Sequence, residues 1–251
     1  MNPEGCRKKS ELNTNLNRHF IAGEDLLEFL SNFGKGKVVL EIGGDALLTR
    51  KLVEKAERVY VIEEDKEFGG KLGGVGAQVI TGNALKVKWP QFQVLLSSSP
   101  SLINEPLLFR MTRHDFEFAV LVVLEDLHRE MSGKGKIGLL TGEFFEVEGL
   151  MEVPKQAFRP KLEAKAVAVK LKRKKVNTLF SKVLLQYDKK LKNALREALC
   201  SFGLTRREAR FLVEKLGLDE TKEKRVINLS DQDFFVLSNE LRKLGKEVHK
   251  S

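Results

Sequence analysis

The chain has 251 residues, 42% hydrophobic and 31% charged, and a net charge of +9. This is room for one α/β core and a smaller appended unit. With no apolar run near the roughly 20 residues of a membrane span, and no apolar stretch behind the basic start to signal export, the expected setting is intracellular and cytoplasmic.

A polar leader (1–20) precedes DLLEFLSNF (25–33), whose apolar residues recur at helical spacing until GKGK breaks it. VVLEIGG (38–44) is a continuous apolar run ending in glycines, the pattern of a buried parallel strand and a tight turn. ALLTRKLVEKA (46–56) has a helical period, and RVYVIEED (58–65), AQVITGNAL (77–85) and FQVLLSSSP (92–100) supply three more strands. Strands alternating with helices predict βαβ units and a parallel, doubly wound sheet. PLLFRMTR (106–113) is expected to be helical, FAVLVVLEDLHREM (118–131) a strand running into a helix, and 136–154 and 164–172 late strands.

KLKRKK (170–175) marks the expected boundary between a sheet domain (21–172) and a basic, all-helical domain (173–251), in which Ser230–Asp233 resembles a capping box. The charge follows this division. Residues 1–169 hold 23 Lys and Arg against 24 Asp and Glu, whereas residues 170–251 hold 21 against 11. A unit so lopsided is expected to meet a polyanion, with nucleic acid the commonest. Cys6, Cys200 and the scattered His19, His114, His128 and His249 form neither a disulfide framework nor a metal-ligand pattern.

The first strand, its glycine turn and the following helix form a unit that can cradle a cofactor at a helix N-terminus, with Glu63 at the second strand tip placed for ribose hydroxyls and Asn83 at the third. Together they resemble the S-adenosylmethionine site of Rossmann-like methyltransferases. In order along the chain, RHFI (18–21), EIGGDALLT (41–49), VIEED (61–65), GNAL (82–85), SSPSLINEPLLF (98–109) and VPKQAFRP (153–160) resemble the GQHFL, EIGPGxGxLT, VIEID, GDAL, NLPYNISSPLLF and VPPSAFxP segments of the KsgA-type rRNA adenine dimethyltransferases. The helical tail corresponds from FSKV to the LRKL segment.

This resemblance implies a Rossmann-like methyltransferase sheet with a helical C-terminal domain, S-adenosylmethionine as cofactor and small-subunit rRNA, or a precursor particle containing it, as partner; a monomer is the default expectation. It places His19, Phe20, Glu41, Gly43, Gly44, Glu63 and Asn83 at the cofactor, and Ser98, Pro100, Ser101 and Phe158 at the chemistry. In that family the NLPY tetrad accepts hydrogen bonds from the adenine amine and stacks an aromatic on the flipped base. Here it reads Ser98-Ser99-Pro100-Ser101, leaving Phe158 as the aromatic of the clamp.

The turn also departs from the family: GGDA is one residue short, Ala46 stands at a glycine position, and Asp45 brings a charge toward the cofactor's carboxylate. Lys170, Lys172, Arg173, Lys174, Lys175, Lys189, Lys190, Lys192, Arg196, Arg206, Arg207 and Arg210 are the expected RNA contacts. The resulting reading is an rRNA-binding relative in ribosome assembly with impaired methyl transfer. The alternatives are an active dimethyltransferase and a transcription-factor-like nucleic-acid binder.

Overall fold

A computed structural model describes residues 19–248, the last three by backbone alone. The leader through residue 18, with Cys6, and the end of the chain, with His249, lie outside the described residues. Nine strands and ten α-helices follow in chain order among the described residues: β1 (Phe20–Ile21), α1 (Glu24–Asn32), β2 (Val38–Ile42), α2 (Ala46–Lys55), β3 (Arg58–Glu63), α3 (Lys66–Gly73), β4 (Gln78–Thr81), β5 (Val94–Ser97), α4 (Glu105–Thr112), β6 (Phe118–Leu124), α5 (Glu125–Met131), α6 (Lys136–Phe144), β7 (Phe145–Val153), β8 (Phe158–Arg159), β9 (Ala166–Arg173), α7 (Leu179–Leu184), α8 (Leu191–Ser201), α9 (Arg206–Lys215) and α10 (Asp231–Val248).

The main sheet runs β4-β3-β2-β5-β6-β9-β7. Its first five strands are parallel, as the alternation of strands and helices predicts. The reversal of order between β2 and β5 opens a crevice at the strands' carboxyl ends, where ligands bind in such sheets. Alternate residues enter opposite cores. Leu40, Ile42, Leu95 and Leu121 face one cluster, while Val39, Val61, Leu96 and Val120 face another with Leu26, Leu30 and Leu48. Burial on both faces explains why these strands read as unbroken apolar runs.

The sheet is not parallel throughout, because β9 inserts antiparallel between β6 and β7. The run at 136–154 is likewise not all strand, since its first nine residues form α6, which buries Leu140, Thr141 and Phe144. A short apolar run does not separate a buried helix from a buried strand by periodicity alone, and here the helix packs where Gly138 meets the Gly133 carbonyl.

The helical tail begins after β9 but has no separate core. Phe180, Leu195, Phe234 and Leu237 join Phe109, Leu121 and Phe144 in one cluster. Lys136, almost fully buried, pairs with Glu105 at 2.6 Å and donates to the Ile227 carbonyl at 2.5 Å, tying α4 and α6 to the tail. At the start of α10 the Ser230 hydroxyl accepts from the Asp233 N–H (3.1 Å) and the Asp233 carboxylate accepts from the Ser230 N–H (3.3 Å). This is a reciprocal cap with Asp in place of Glu. Among the described residues no helix is long and apolar enough to cross a membrane, and no group of three or more His, Cys, Asp or Glu side chains forms a metal site.

Candidate functional site

The crevice holds a cavity of about 560 Å³, walled by the ends of β2, β3, β4 and β5 and by the loop that enters α4. Of the residues singled out in the sequence, His19, Gly43, Glu63, Asn83 and Ser101 line it. Glu63 is the last residue of β3 and is buried; one of its carboxylate oxygens accepts from the Asp65 N–H at 2.8 Å. The Asn83 amide oxygen accepts from the Leu85 N–H at 2.8 Å, and the His19 Nδ1 lies 2.8 Å from the Pro160 carbonyl. Glu64 and Asp65 also face the cavity, and among the described residues no Lys or Arg does. A carboxylate at a strand tip suits a ligand with hydroxyl groups that donate to it.

The remaining candidates lie behind the cavity wall. Glu41 and Gly44 are buried below it: the Glu41 carboxyl is bonded to Asp45 and Thr49, and a Cβ on Gly44 would meet Leu72 at 2.3 Å. Phe20 turns its ring to Phe68, with centroids 5.4 Å apart. Phe158 pairs with Ile21 in the small β1–β8 sheet and is fully buried in the second core, so its ring presents no face to the cavity. Ser98 and Pro100 are buried as well, and only Ser99 and Ser101 of the tetrad reach the wall.

Asp45 does not aim at the cavity either. One of its carboxylate oxygens caps α2 by accepting from Leu47 and Leu48, and the other accepts from the Ile21 N–H at 2.7 Å. An Asp immediately before a helix is the standard signal for such a cap, so this role was available in the sequence. Ala46 opens α2 in the helical region; the left-handed turn residue is Gly43, at φ 71°.

Leu102 was missed. It is 41% exposed, and its Cδ1 would lie 2.1 Å from a Cβ on Gly43, so the leucine leans over the turn. The signal was a glycine that requires both positive φ and close approach.

These contacts decide how far S-adenosylmethionine fits. Glu63 and Asn83, with Ile42, Ile62 and Ala84 as apolar walls, fit the nucleoside half. The amino-acid half is less well matched, because the end of α2 that would meet its carboxylate is plugged by Asp45 and Leu102 covers the turn.

The Ser98 hydroxyl is buried with no hydrogen-bond partner among the described residues. An unsatisfied buried hydroxyl costs about 1–3 kcal/mol. Ser98→Ala should therefore raise stability by about 1 kcal/mol in denaturant titration; a fall would mean that the hydroxyl has a partner in solution.

The basic residues divide into two groups. Lys189 pairs with Glu197, and Lys190 and Lys192 with Glu223. Arg196 bonds the Lys192 carbonyl and Asn193, and Lys172 lies 3.6 Å from Glu146. Lys170 lies over the Phe118 ring, Lys174 donates to the Gly142 carbonyl, and Arg173 donates to the Thr112 carbonyl while stacking on Phe144 and Phe145. Lys175, Arg206, Arg207 and Arg210 are exposed and carry no ion pair among the described residues.

Comparison with known proteins places these features in a lineage. The family model described as ribosomal RNA adenine dimethylase matches residues 13–201. The chain is 29% identical over 221 residues to the probable ribosomal RNA small subunit methyltransferase A of Pyrococcus furiosus, covering 81% of each. It is 29% identical over 254 residues to the protein of the same name from Thermococcus kodakarensis, covering 93% of this chain and 91% of that one. Among solved structures it resembles a dimethyladenosine transferase from Plasmodium falciparum (TM-score 0.60, 22% identity, 90% of this chain and 98% of that one) and the 23S rRNA methyltransferase ErmE (TM-score 0.56, 18% identity, 89% and 99%). At those identities the structural likeness speaks for the fold.

Proposed function

The chain belongs to the ribosomal RNA adenine dimethylase family, and we propose that within it this protein is a non-catalytic or weakly catalytic member that binds small-subunit rRNA during ribosome assembly. The observation that carries the reading is the cavity wall: where the related enzymes put an aromatic, Ser101 stands, and among the described residues no Phe, Tyr or Trp lines the cavity. A flipped adenine would find no ring to stack on, and stacking is worth roughly 1–3 kcal/mol per base. S-adenosylmethionine, when bound, supplies a transferable methyl group. In this reading Glu63 and Asn83 hold its nucleoside part and the protein works as a cytoplasmic monomer on the precursor particle.

The exposed cations on the tail, unpaired among the described residues, support the RNA side of the reading. Four phosphate contacts from Lys175, Arg206, Arg207 and Arg210 correspond to a log–log salt slope of about −3 to −4, at roughly 0.7–0.9 per contact. The protein should cosediment with unmodified small subunits with that slope, and Arg206, Arg207 and Arg210 changed together to Ala should flatten it by about 2–3 units. An unchanged slope, or a preference for duplex promoter DNA over structured rRNA, would overturn the assignment and favour the transcription-type alternative.

A further inference from the structure

Helix α9 carries a feature that its arginines do not account for. Ala209 and Val213 are buried and Leu212 is half-buried, which fixes the packed face of the helix. At four-residue spacing on the opposite face lie Arg207, Phe211 and Lys215, all exposed. Phe211 is 58% exposed, the most of any large hydrophobic side chain described. The Lys215 ammonium sits 4.3 Å from its ring centroid, and Arg207 lies one turn toward the N-terminus.

Both acids of the helix are engaged elsewhere. Glu208 accepts from the Thr205 N–H and hydroxyl at 2.8 and 2.7 Å, and Glu214 pairs with Lys222 at 2.5 Å. The face therefore presents one exposed aromatic ring within a set of cations, Arg207, Arg210 and Lys215, none of which pairs with a carboxylate of the helix among the described residues. An exposed Phe against a protein partner would want apolar neighbours. An exposed Phe among cations matches the pattern of single-stranded nucleic acid sites, where bases stack on rings and phosphates meet basic side chains.

We propose that Phe211 is a stacking platform for an unpaired RNA base, with Arg207, Arg210 and Lys215 holding the adjoining phosphates. The inference rests on the rRNA-binding reading and deepens it, naming an unpaired, splayed nucleotide as the element recognised by α9. It also gives the protein a base contact that does not depend on the cavity at the sheet.

The test uses the full chain, a labelled single-stranded oligoribonucleotide of about ten nucleotides, within the usual site size, a duplex RNA of the same length and a small-subunit rRNA fragment. Phe211→Ala should weaken single-strand binding by roughly 5- to 100-fold, leave duplex binding and the salt slope unchanged, and be rescued by Phe211→Tyr. In Phe211→Trp, indole fluorescence should be quenched by the oligonucleotide, whereas in the parent chain the single Trp89, buried in the core, should give no such response.

Wild-type affinity in Phe211→Ala, with binding still weakened by Arg207→Ala and Arg210→Ala, would remove the platform and leave the rRNA reading standing. Equal losses on single strand and duplex would also overturn it. Absence of RNA binding by the parent chain would remove both ideas. A self-association abolished by Phe211→Ala, with RNA binding untouched, would assign the face to a second copy of the chain.

Discussion

Given labelled S-adenosylmethionine and unmodified small ribosomal subunits, the protein should incorporate at least about a hundredfold less methyl label at adenine N6 than an active member of its family. In the proposed reading two losses compound. The stacking ring is gone from the wall, because Ser101 replaces it and Phe158 is closed into the second core; this alone is worth roughly 5- to 100-fold. Positioning is expected to suffer as well, since of Ser98-Ser99-Pro100-Ser101 the first and third residues are buried behind the wall. A misplacement of about 1 Å in a reaction driven by alignment costs on the order of 10²-fold. Mass-spectrometric analysis of the 3′ region of the rRNA reads the result. Incorporation within tenfold of the active control would make the serine loop a working site and the proposed role wrong.

The sequence reveals much of this architecture because the central strands are buried on both faces: VVLEI, RVYVIE and VLLS are legible as strands without any alternation. What it hides is set by tertiary choices. Residues 136–144 carry an apolar run compatible with either element, and only packing against α4 and α10 makes them α6. The insertion of β9 between β6 and β7 joins strands whose order no local pattern encodes.

At the site, Glu63 and Asn83 are placed by strand tips and so are readable. The direction of a side chain is not: Phe158 and Ser98 stand in motifs that suggest an active-site wall, yet the backbone turns both into the interior. The charge run shows the same limit. Lys190 and Lys192 share the one carboxylate of Glu223, some thirty residues away, which offsets one of their two charges, so a count of cations overstates the surface offered to RNA.

Glu41→Gln should stabilise the protein at and above neutral pH and remove most of its alkaline sensitivity. Glu41 lies on β2 between Val61 of β3 and Leu96 of β5, fully buried. Burial, aided by the neighbouring Asp45 and Glu63 carboxyls and opposed by bonds to Thr49 and the Asp45 N–H, pushes its carboxyl up to about 8. The folded protein therefore holds a proton that the unfolded chain releases near 4.5. The stability this proton contributes is complete below about pH 4.5 and is lost as pH rises toward 8.

His114 acts the other way in acid. Burial, with Arg110, Arg113 and Arg173 nearby, pushes it down to about 4, so protonation of the unfolded chain lowers stability as pH falls from 6.5 toward 4. The window from 6.5 to 8 isolates Glu41 from His114, and the loss there is about 2 kcal/mol at 1.36 kcal/mol per unit, or about 4–8 °C in Tm for a chain of this size.

The amide of Glu41→Gln reproduces the protonated carboxyl. It accepts from the Asp45 N–H, 3.1 Å away in the parent, and donates to the Thr49 hydroxyl, 2.6 Å away. Its Tm should stay level across the window while the parent's falls. A level parent would mean that Glu41 is ionised, a negative charge buried in the sheet behind the cavity wall.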